Sequence, residues 1–429
     1  MRPCDATAHP YPGSCALNDL MKFRLMVMMF LQFFIWGSWY ATGGNYMKSR
    51  GMTDVIYLAY MASPIGSIIS PFFLGMIADR FFAVQKVMGV MHILSGIFVF
   101  CAPFLAEGTF LSTPLFLVFL LFHMLCYMPT VGLATATAFH LLRNKETEFP
   151  LVRVFGTIGW ITAGIVVSFF LKGDTTALPM YVAGLGGILM GLYSFTLPDV
   201  PPPGAGKKFS FRDVLGLDAL NHLNSRPFIV FILSLLLTSI PLATYFAYVP
   251  VFMREANIEN PAFKMTFGQM SEVVFLLLLP WFFLRLGVKW VLIIGMCAWI
   301  VRYALFAIGA PDAVTWMIMI GILLHGACYD FVYVAGQVYI DKKASPAIRA
   351  QAQGLFVLVS YGIGQGLGTL AAGWIFNEVM STSGGSSLQQ WQTFWIFPLI
   401  FAVIVTCLFG FGFRENLTPP EAPSLRAKR

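Results

Sequence analysis

The chain has 429 residues, of which 58% are hydrophobic and only 11% charged, with a formal net charge of +7. A mean hydropathy of +0.76 excludes an ordinary soluble enzyme and indicates a chain that crosses a bilayer many times. The positive balance does not indicate nucleic-acid binding, because the basic residues are scattered over short loops rather than gathered in one patch.

Residues 1–20 contain Pro3, Pro10, Pro12 and Gly13 and no apolar core, which fits a disordered N-terminal tail rather than a secretory signal, or a start of translation at Met21. From there, apolar runs recur at the length of about 20 residues that a helix needs to cross a hydrocarbon core of about 30 Å. Six are expected at Leu25 to Met47, Val55 to Ala78, Val87 to Leu105, Leu115 to Phe139, Val152 to Leu171 and Leu178 to Leu197. Residues 198–227 then interrupt the pattern with Pro201, Pro202 and Pro203, followed by Lys207, Lys208, Phe209, Phe211, Val214, Leu215 and Leu220. This stretch reads as a cytoplasmic linker with an amphipathic helix on the membrane surface. Six more runs follow at Phe228 to Phe252, Met265 to Leu284, Val291 to Ala310, Val314 to Ile340, Ile348 to Val379 and Phe394 to Phe413, before a basic tail at 415–429.

The expected fold is an all-α membrane protein of twelve transmembrane helices in two pseudo-symmetric six-helix bundles, residues 21–197 and 228–414, with substrate bound near the midplane between halves. With both termini inside, 20 of the 27 basic residues fall in cytoplasmic segments, five fall outside and two, Arg153 and Arg302, fall within spans. That asymmetry supports cytoplasmic termini. No segment between the runs is large enough for an enzyme domain. Cys4, Cys15, Cys101, Cys126, Cys297, Cys328 and Cys407 show no paired spacing, so neither a metal site nor a disulfide framework is expected, and no cofactor is called for.

Several polar residues inside the runs carry the functional argument. Glu272 is the one charge between Phe267 and Phe283, about 12 Å below the outer edge, and shares a face with Gln269 three residues earlier. A carboxyl at such depth favours its protonated form, so it suits a proton carrier, or else a structural ion pair with Arg302, which lies about 10 Å deep on the next run. Arg153, Thr157 and Trp160 share a helical face, although Arg153 is only about 5 Å into its helix and could instead be a cytoplasmic anchor. Steps of four align His325, Tyr329, Tyr333 and Gln337 as a cavity wall, while Asp330 lies about 24 Å from the outer end, a second candidate for coupling or a structural contact near the inner gate. His92 and His123 read as hydrogen-bonded members of the bundle. Pro241 invites a kink. Gly362, Gly364, Gly366 and Gly368 form two pairs four residues apart, which suits either close packing or a gating hinge.

The segment GMIADRFFAVQK, with Gly75, Asp79, Arg80 and Lys86, resembles the cytoplasmic loop signature of the major facilitator superfamily, in which Asp79 and Arg80 would act in gating. The segments LQFFIWGSW at Leu31 to Trp39, YMPTVGL at Tyr127 to Leu133, FPLVRVFGTIGW at Phe149 to Trp160, GQMSE at Gly268 to Glu272, VRYALFA at Val301 to Ala307, and YDF with SPAIRAQAQG at Ser345 to Gly354 together resemble the nucleoside:proton symporter family of that superfamily, over roughly Met21 to Phe413.

The resemblance implies proton-driven import of nucleosides across the cell inner membrane, with nucleoside and proton as ligands, the lipid bilayer as surroundings and a monomer as the working form. A carrier of another small polar solute such as a sugar, or a non-transporting sensor, would share the same fold. Substrate contacts are expected from Arg153, Thr157, Trp160, Tyr245, Gln269, Glu272, His325 and Tyr329, proton coupling from Glu272, Arg302 and Asp330, and gating from Gly362 and Gly366. The sequence departs from that pattern at Leu242 and Tyr245, where such carriers present Gln and Asn to the base, and at His325, where they carry Tyr.

Overall fold

A backbone surrounded by hydrocarbon must satisfy its N–H and C=O groups internally, and a helix does so within its own segment. The computed structural model describes residues 13–73, 81–106, 112–202, 210, 212, 215–345, 348–381 and 387–414, and among these residues the chain is helical almost throughout with no strand. Nine helices among them are long and apolar enough to cross a membrane, or ten if Thr315–Leu323 and His325–Lys343, bent by 41°, form one crossing. Two features separate this count from the expected twelve. Pro261–Gly309 is two helices that meet directly at a kink, where Gly287 has φ +73°, a conformation that glycine adopts without a Cβ penalty. Leu178–Ser194 is apolar but has only 17 residues.

Other boundaries also moved. The first helix, Gly13–Tyr40, begins inside the segment expected to be a disordered tail. Within the linker, the short helix Leu217–His222 is formed, entered through Gly216 at φ +64°. Pro241 and Pro250 both lie inside the unbroken helix Arg226–Glu255. Asp79 and Arg80 lie outside the described residues.

The chain falls into two compact units. The first comprises Met1–Tyr40, Ile69–Leu171 and Ala177–Phe209. In it, Gly13–Tyr40 packs against Lys145–Gly164, and Val84–Cys101 packs against Leu178–Ser194 and Ser112–Leu141. The first pair approach closely because a side chain at Gly159 would collide with the Phe30 carbonyl.

The second unit comprises Ala41–Ile68, Lys172–Thr176 and Ser210–Arg429, so it draws on early as well as late sequence. Arg226–Glu255 packs against Gln365–Ser381 and Ser387–Gly412, while Pro261–Gly309 packs against Ser387–Gly412 and the bent pair. The early segment is tied in by Asn45 Nδ2, which donates to the Pro250 carbonyl at 3.1 Å, and by an ion pair of Lys48 with Glu255. Asp174 Oδ1 accepts the Ala262 N–H at 3.1 Å, capping the long helix at its N-terminus.

The helical path widens into π turns at Ile165–Phe170, Asp330–Val334 and Leu358–Gly364. Such turns occur often at functional sites, because the extra residue re-aims side chains around the helix. Two of the three carry residues singled out from the sequence, Asp330 and Gly362.

Candidate functional site

The helix Arg226–Glu255 brings Tyr245 against His325 in the second unit, their rings stacked with centroids 5.0 Å apart and planes within 13°. His325 continues onto Tyr329 at 5.7 Å, and Tyr329 onto Tyr333 at 5.2 Å. The four-residue spacing thus becomes a ladder of stacked rings, as helix geometry requires of neighbours on one face. Tyr329 hydrogen-bonds Tyr361 hydroxyl to hydroxyl, and Tyr333 donates to Ser239 Oγ at 3.3 Å.

Gly268 lets the Gln269 helix lie against this ladder, since a Cβ there would be 3.0 Å from His325 Cβ and 3.4 Å from the Tyr245 hydroxyl. One residue on, Gln269 is buried and its Oε1 has no hydrogen-bond partner among the described residues. Glu272, one turn further, is half-buried. Ser271 between them accepts the Gly326 N–H at 3.0 Å and donates to the Gly268 carbonyl at 2.7 Å, which fixes this stretch against the start of the His325 helix.

Arg302 sits beneath the aromatic pair, its guanidinium carbon 4.2 Å from the Tyr245 ring centroid and 4.7 Å from that of Trp299. Nε donates to the Gly321 carbonyl at 2.8 Å, and Nη1 and Nη2 have no partner among the described residues. The structure therefore does not join Arg302 to Glu272 by a hydrogen bond. Ring faces and a backbone carbonyl supply its contacts instead. Asp330 is fully buried at the start of its π turn, and neither carboxylate oxygen is hydrogen-bonded among the described residues.

In the first unit, Arg153, Thr157 and Trp160 are all half-buried. The Arg153 guanidinium lies 4.3 Å from the Phe33 ring centroid. Trp160 meets Trp36 edge-on at 5.5 Å and Tyr40 at 6.2 Å, while Trp36 also touches Tyr127 at 5.7 Å. The Trp36 indole nitrogen is buried without a hydrogen-bond partner among the described residues. Close by, Gln32 donates to Thr130 Oγ1 at 2.8 Å and meets His92 Nε2 at 2.8 Å, and His123 Nδ1 pairs with Ser95 Oγ at 2.8 Å. The two histidines are members of the packed bundle, as expected.

The glycines of the eleventh expected span resolve into two faces. Cβ atoms at Gly362 and Gly366 would be 2.8 Å from Ile68 and 3.4 Å from Met61 and Pro64. Those at Gly364 and Gly368 would be 2.7 Å from the Leu236 carbonyl and 2.6 Å from Ile240 Cα. Each pair admits a different neighbouring helix.

Sequence reasoning overlooked Gln32, Trp36 and Tyr40, although their spacing of four on the segment LQFFIWGSW put them on one face. Tyr361 and Trp299 carried no such signal, because only tertiary packing brings them to the ladder.

These arrangements offer ring faces, amide and carboxyl groups and a guanidinium to a flat, polar solute. A sequence profile described as nucleoside H+ symporter matches residues 20–418. The chain is 35% identical to YegT of Escherichia coli (strain K12), covering 92% of this chain and 94% of that protein. It is 33% identical to the nucleoside permease NupG of the same organism, covering 91% and 95%, and 31% identical to its xanthosine permease, covering 93% and 97%. A crystal structure of a NupG mutant superposes with a TM-score of 0.82 at 30% identity, over 92% of this chain and 100% of that one. A D-xylose–proton symporter superposes with a TM-score of 0.70 at 14% identity, over 92% and 98%, a likeness of fold alone.

Proposed function

Because the chain belongs to the nucleoside H+ symporter family, a family of transporters rather than enzymes, we propose that it imports nucleosides together with protons. The observation that carries this reading is the grouping of Gln269 with the stacked Tyr245–His325 pair one residue from Gly268, with Glu272 one turn beyond. Stacked rings suit a flat base, and hydrogen-bonding groups of both polarities suit its edge and the ribose hydroxyls.

In the proposed cycle Glu272 takes a proton from outside, substrate binds by hydrogen bonds to the neutral acid and to Gln269, and alternating access releases both inside. His325 and Tyr329 provide the stacking wall, and Arg153, Thr157 and Trp160 provide further contacts to substrate. Arg302 and Asp330 are the other charged groups whose environment changes with the state of the carrier.

The multi-pass architecture is read as twelve crossings, by counting the two parts of Pro261–Gly309 on either side of Gly287, the bent pair as one, and Leu178–Ser194 as a short span. Residues 21–197 and 228–414 are proposed as the two bundles, joined by the linker 198–227 and flanked by tails 1–20 and 415–429. The proposed setting is the cell inner membrane, as a monomer with both termini cytoplasmic, a placement that rests on the distribution of Lys and Arg.

Uptake into proteoliposomes tests the reading. Labelled nucleoside accumulates when an inward proton gradient is imposed, and an uncoupler collapses the accumulation. Transport of a sugar with no transport or binding of any nucleoside would overturn it.

A further inference from the structure

Arg302 is fully buried, yet only one of its three guanidinium nitrogens is used. Nε is tied to the Gly321 carbonyl at 2.8 Å, while Nη1 and Nη2, the two donors at the end of the fork, have no partner among the described residues. Contacts with the Tyr245 and Trp299 rings offset only part of what a guanidinium loses on leaving water. A buried arginine in this state is a pair of donors in fixed geometry without acceptors.

The surroundings hold that fork in place. Trp299 donates its indole N–H to the Cys328 carbonyl at 3.1 Å, and Tyr303, the next residue after Arg302, donates to the Pro241 carbonyl at 2.5 Å. The group covering Arg302 is less constrained. The Tyr245 hydroxyl is buried without a hydrogen-bond partner among the described residues, and so is His325 Nδ1. Shifting the Tyr245 ring off the guanidinium therefore breaks no hydrogen bond of its hydroxyl, and an incoming flat ring can stack where Tyr245 and His325 now stack on each other.

The geometry points to Arg302 as the residue that reads the base, with a 6-oxopurine nucleoside as the substrate it fits. This rests on the nucleoside reading given above. Two parallel donors match two adjacent acceptors on a ring edge, and the O6 and N7 atoms of guanine, hypoxanthine or xanthine provide them. Adenine places an amino donor where O6 would be, and cytosine and uracil have no N7. A mismatched base leaves a buried donor facing a donor or nothing at all, the situation in which polar sites discriminate most strongly.

The test is competition against labelled inosine in proteoliposomes under an inward proton gradient. With the unaltered protein, guanosine competes at least about tenfold more strongly than adenosine or cytidine. Arg302→Lys keeps the charge but loses the fork, and Arg302→Gln loses both. Each raises KM for inosine about tenfold while changing KM for adenosine less than about twofold, so the ratio between bases collapses. Equal competition by adenosine and inosine in the unaltered protein overturns the inference, as do variants in which both KM values change together. If the variants do not elute as folded protein, the panel on the unaltered chain decides alone. Transport of nucleosides without base preference sinks only this inference, whereas failure to carry any nucleoside sinks the proposed function with it.

Discussion

Buried polar side chains are handled differently in the two units. In the first, a group of them pair with one another: Gln32 spans Thr130 and His92, the Tyr127 hydroxyl donates to the Gln32 carbonyl at 2.5 Å, and His123 pairs with Ser95, while Trp36 Nε1, His92 Nδ1 and His123 Nε2 have no partner among the described residues. In the second, the Tyr245 hydroxyl, Gln269 Oε1, both Nη atoms of Arg302, His325 Nδ1 and both oxygens of Asp330 have no hydrogen-bond partner among the described residues. A buried polar group left without a partner destabilises a fold by about 1–3 kcal/mol, so a cluster of them is retained where ligands or a change of state provide the missing partners. The Gln32 group of the first unit thus finds most of its partners within the fold, whereas the Tyr245–Arg302 group of the second keeps several donors and acceptors open among the described residues.

The sharpest way to break this contrast is Glu272→Gln in the second unit. Because glutamine imitates the protonated acid, proton-driven accumulation is abolished, while counterflow exchange of preloaded nucleoside persists; full accumulation in this variant would remove Glu272 from coupling. In the first unit Gln32→Leu should act the other way. It leaves His92 Nε2 and the Thr130 hydroxyl without their side-chain partner and lowers stability by about 1–3 kcal/mol, seen as a lower thermal midpoint in detergent, with the order of nucleoside preference unchanged.

Asp330→Asn is a subtler probe, because it replaces a buried carboxyl whose oxygens have no hydrogen-bond partner among the described residues. Stability should stay within about 1 kcal/mol of the unaltered chain, or rise, while the rate of proton-driven uptake falls. A large loss of thermal stability without a change in uptake would make Asp330 a structural residue. The smallest effect is expected for Lys48→Ala. Lys48 is 38% exposed in its ion pair with Glu255, and its loss lowers stability by no more than about 1 kcal/mol in the same thermal assay.

Much of the fold was legible because hydrophobic length is a local property. The apolar runs predicted helices at the observed places, and the ladder His325, Tyr329, Tyr333 followed from a spacing of four. Helix ends were less legible. Nothing local announced that Gly287 would carry the chain from one expected span to the next without a loop, or that helix would extend back to Gly13. A pairing of Glu272 with Arg302, the structural alternative to a role in proton transfer, rested on similar depths along neighbouring spans. Depth does not specify the direction in which a side chain leaves its helix, and Arg302 turns towards Tyr245, Trp299 and the Gly321 carbonyl.

The glycines of the eleventh expected span show the same division. Their spacing announced two close approaches, while the partners, Ile68 and Met61 on one face and Leu236 and Ile240 on the other, became known only once the helices were packed. By itself the sequence determined that this is a multi-pass helical protein of a transporter family, since segment length, the scarcity of charge and ordered motifs are written along the chain. Tertiary structure alone decided which polar groups are satisfied, because a hydrogen bond between Gln32 and His92, or an arginine fork left open beneath Tyr245, depends on side chains brought together from distant segments.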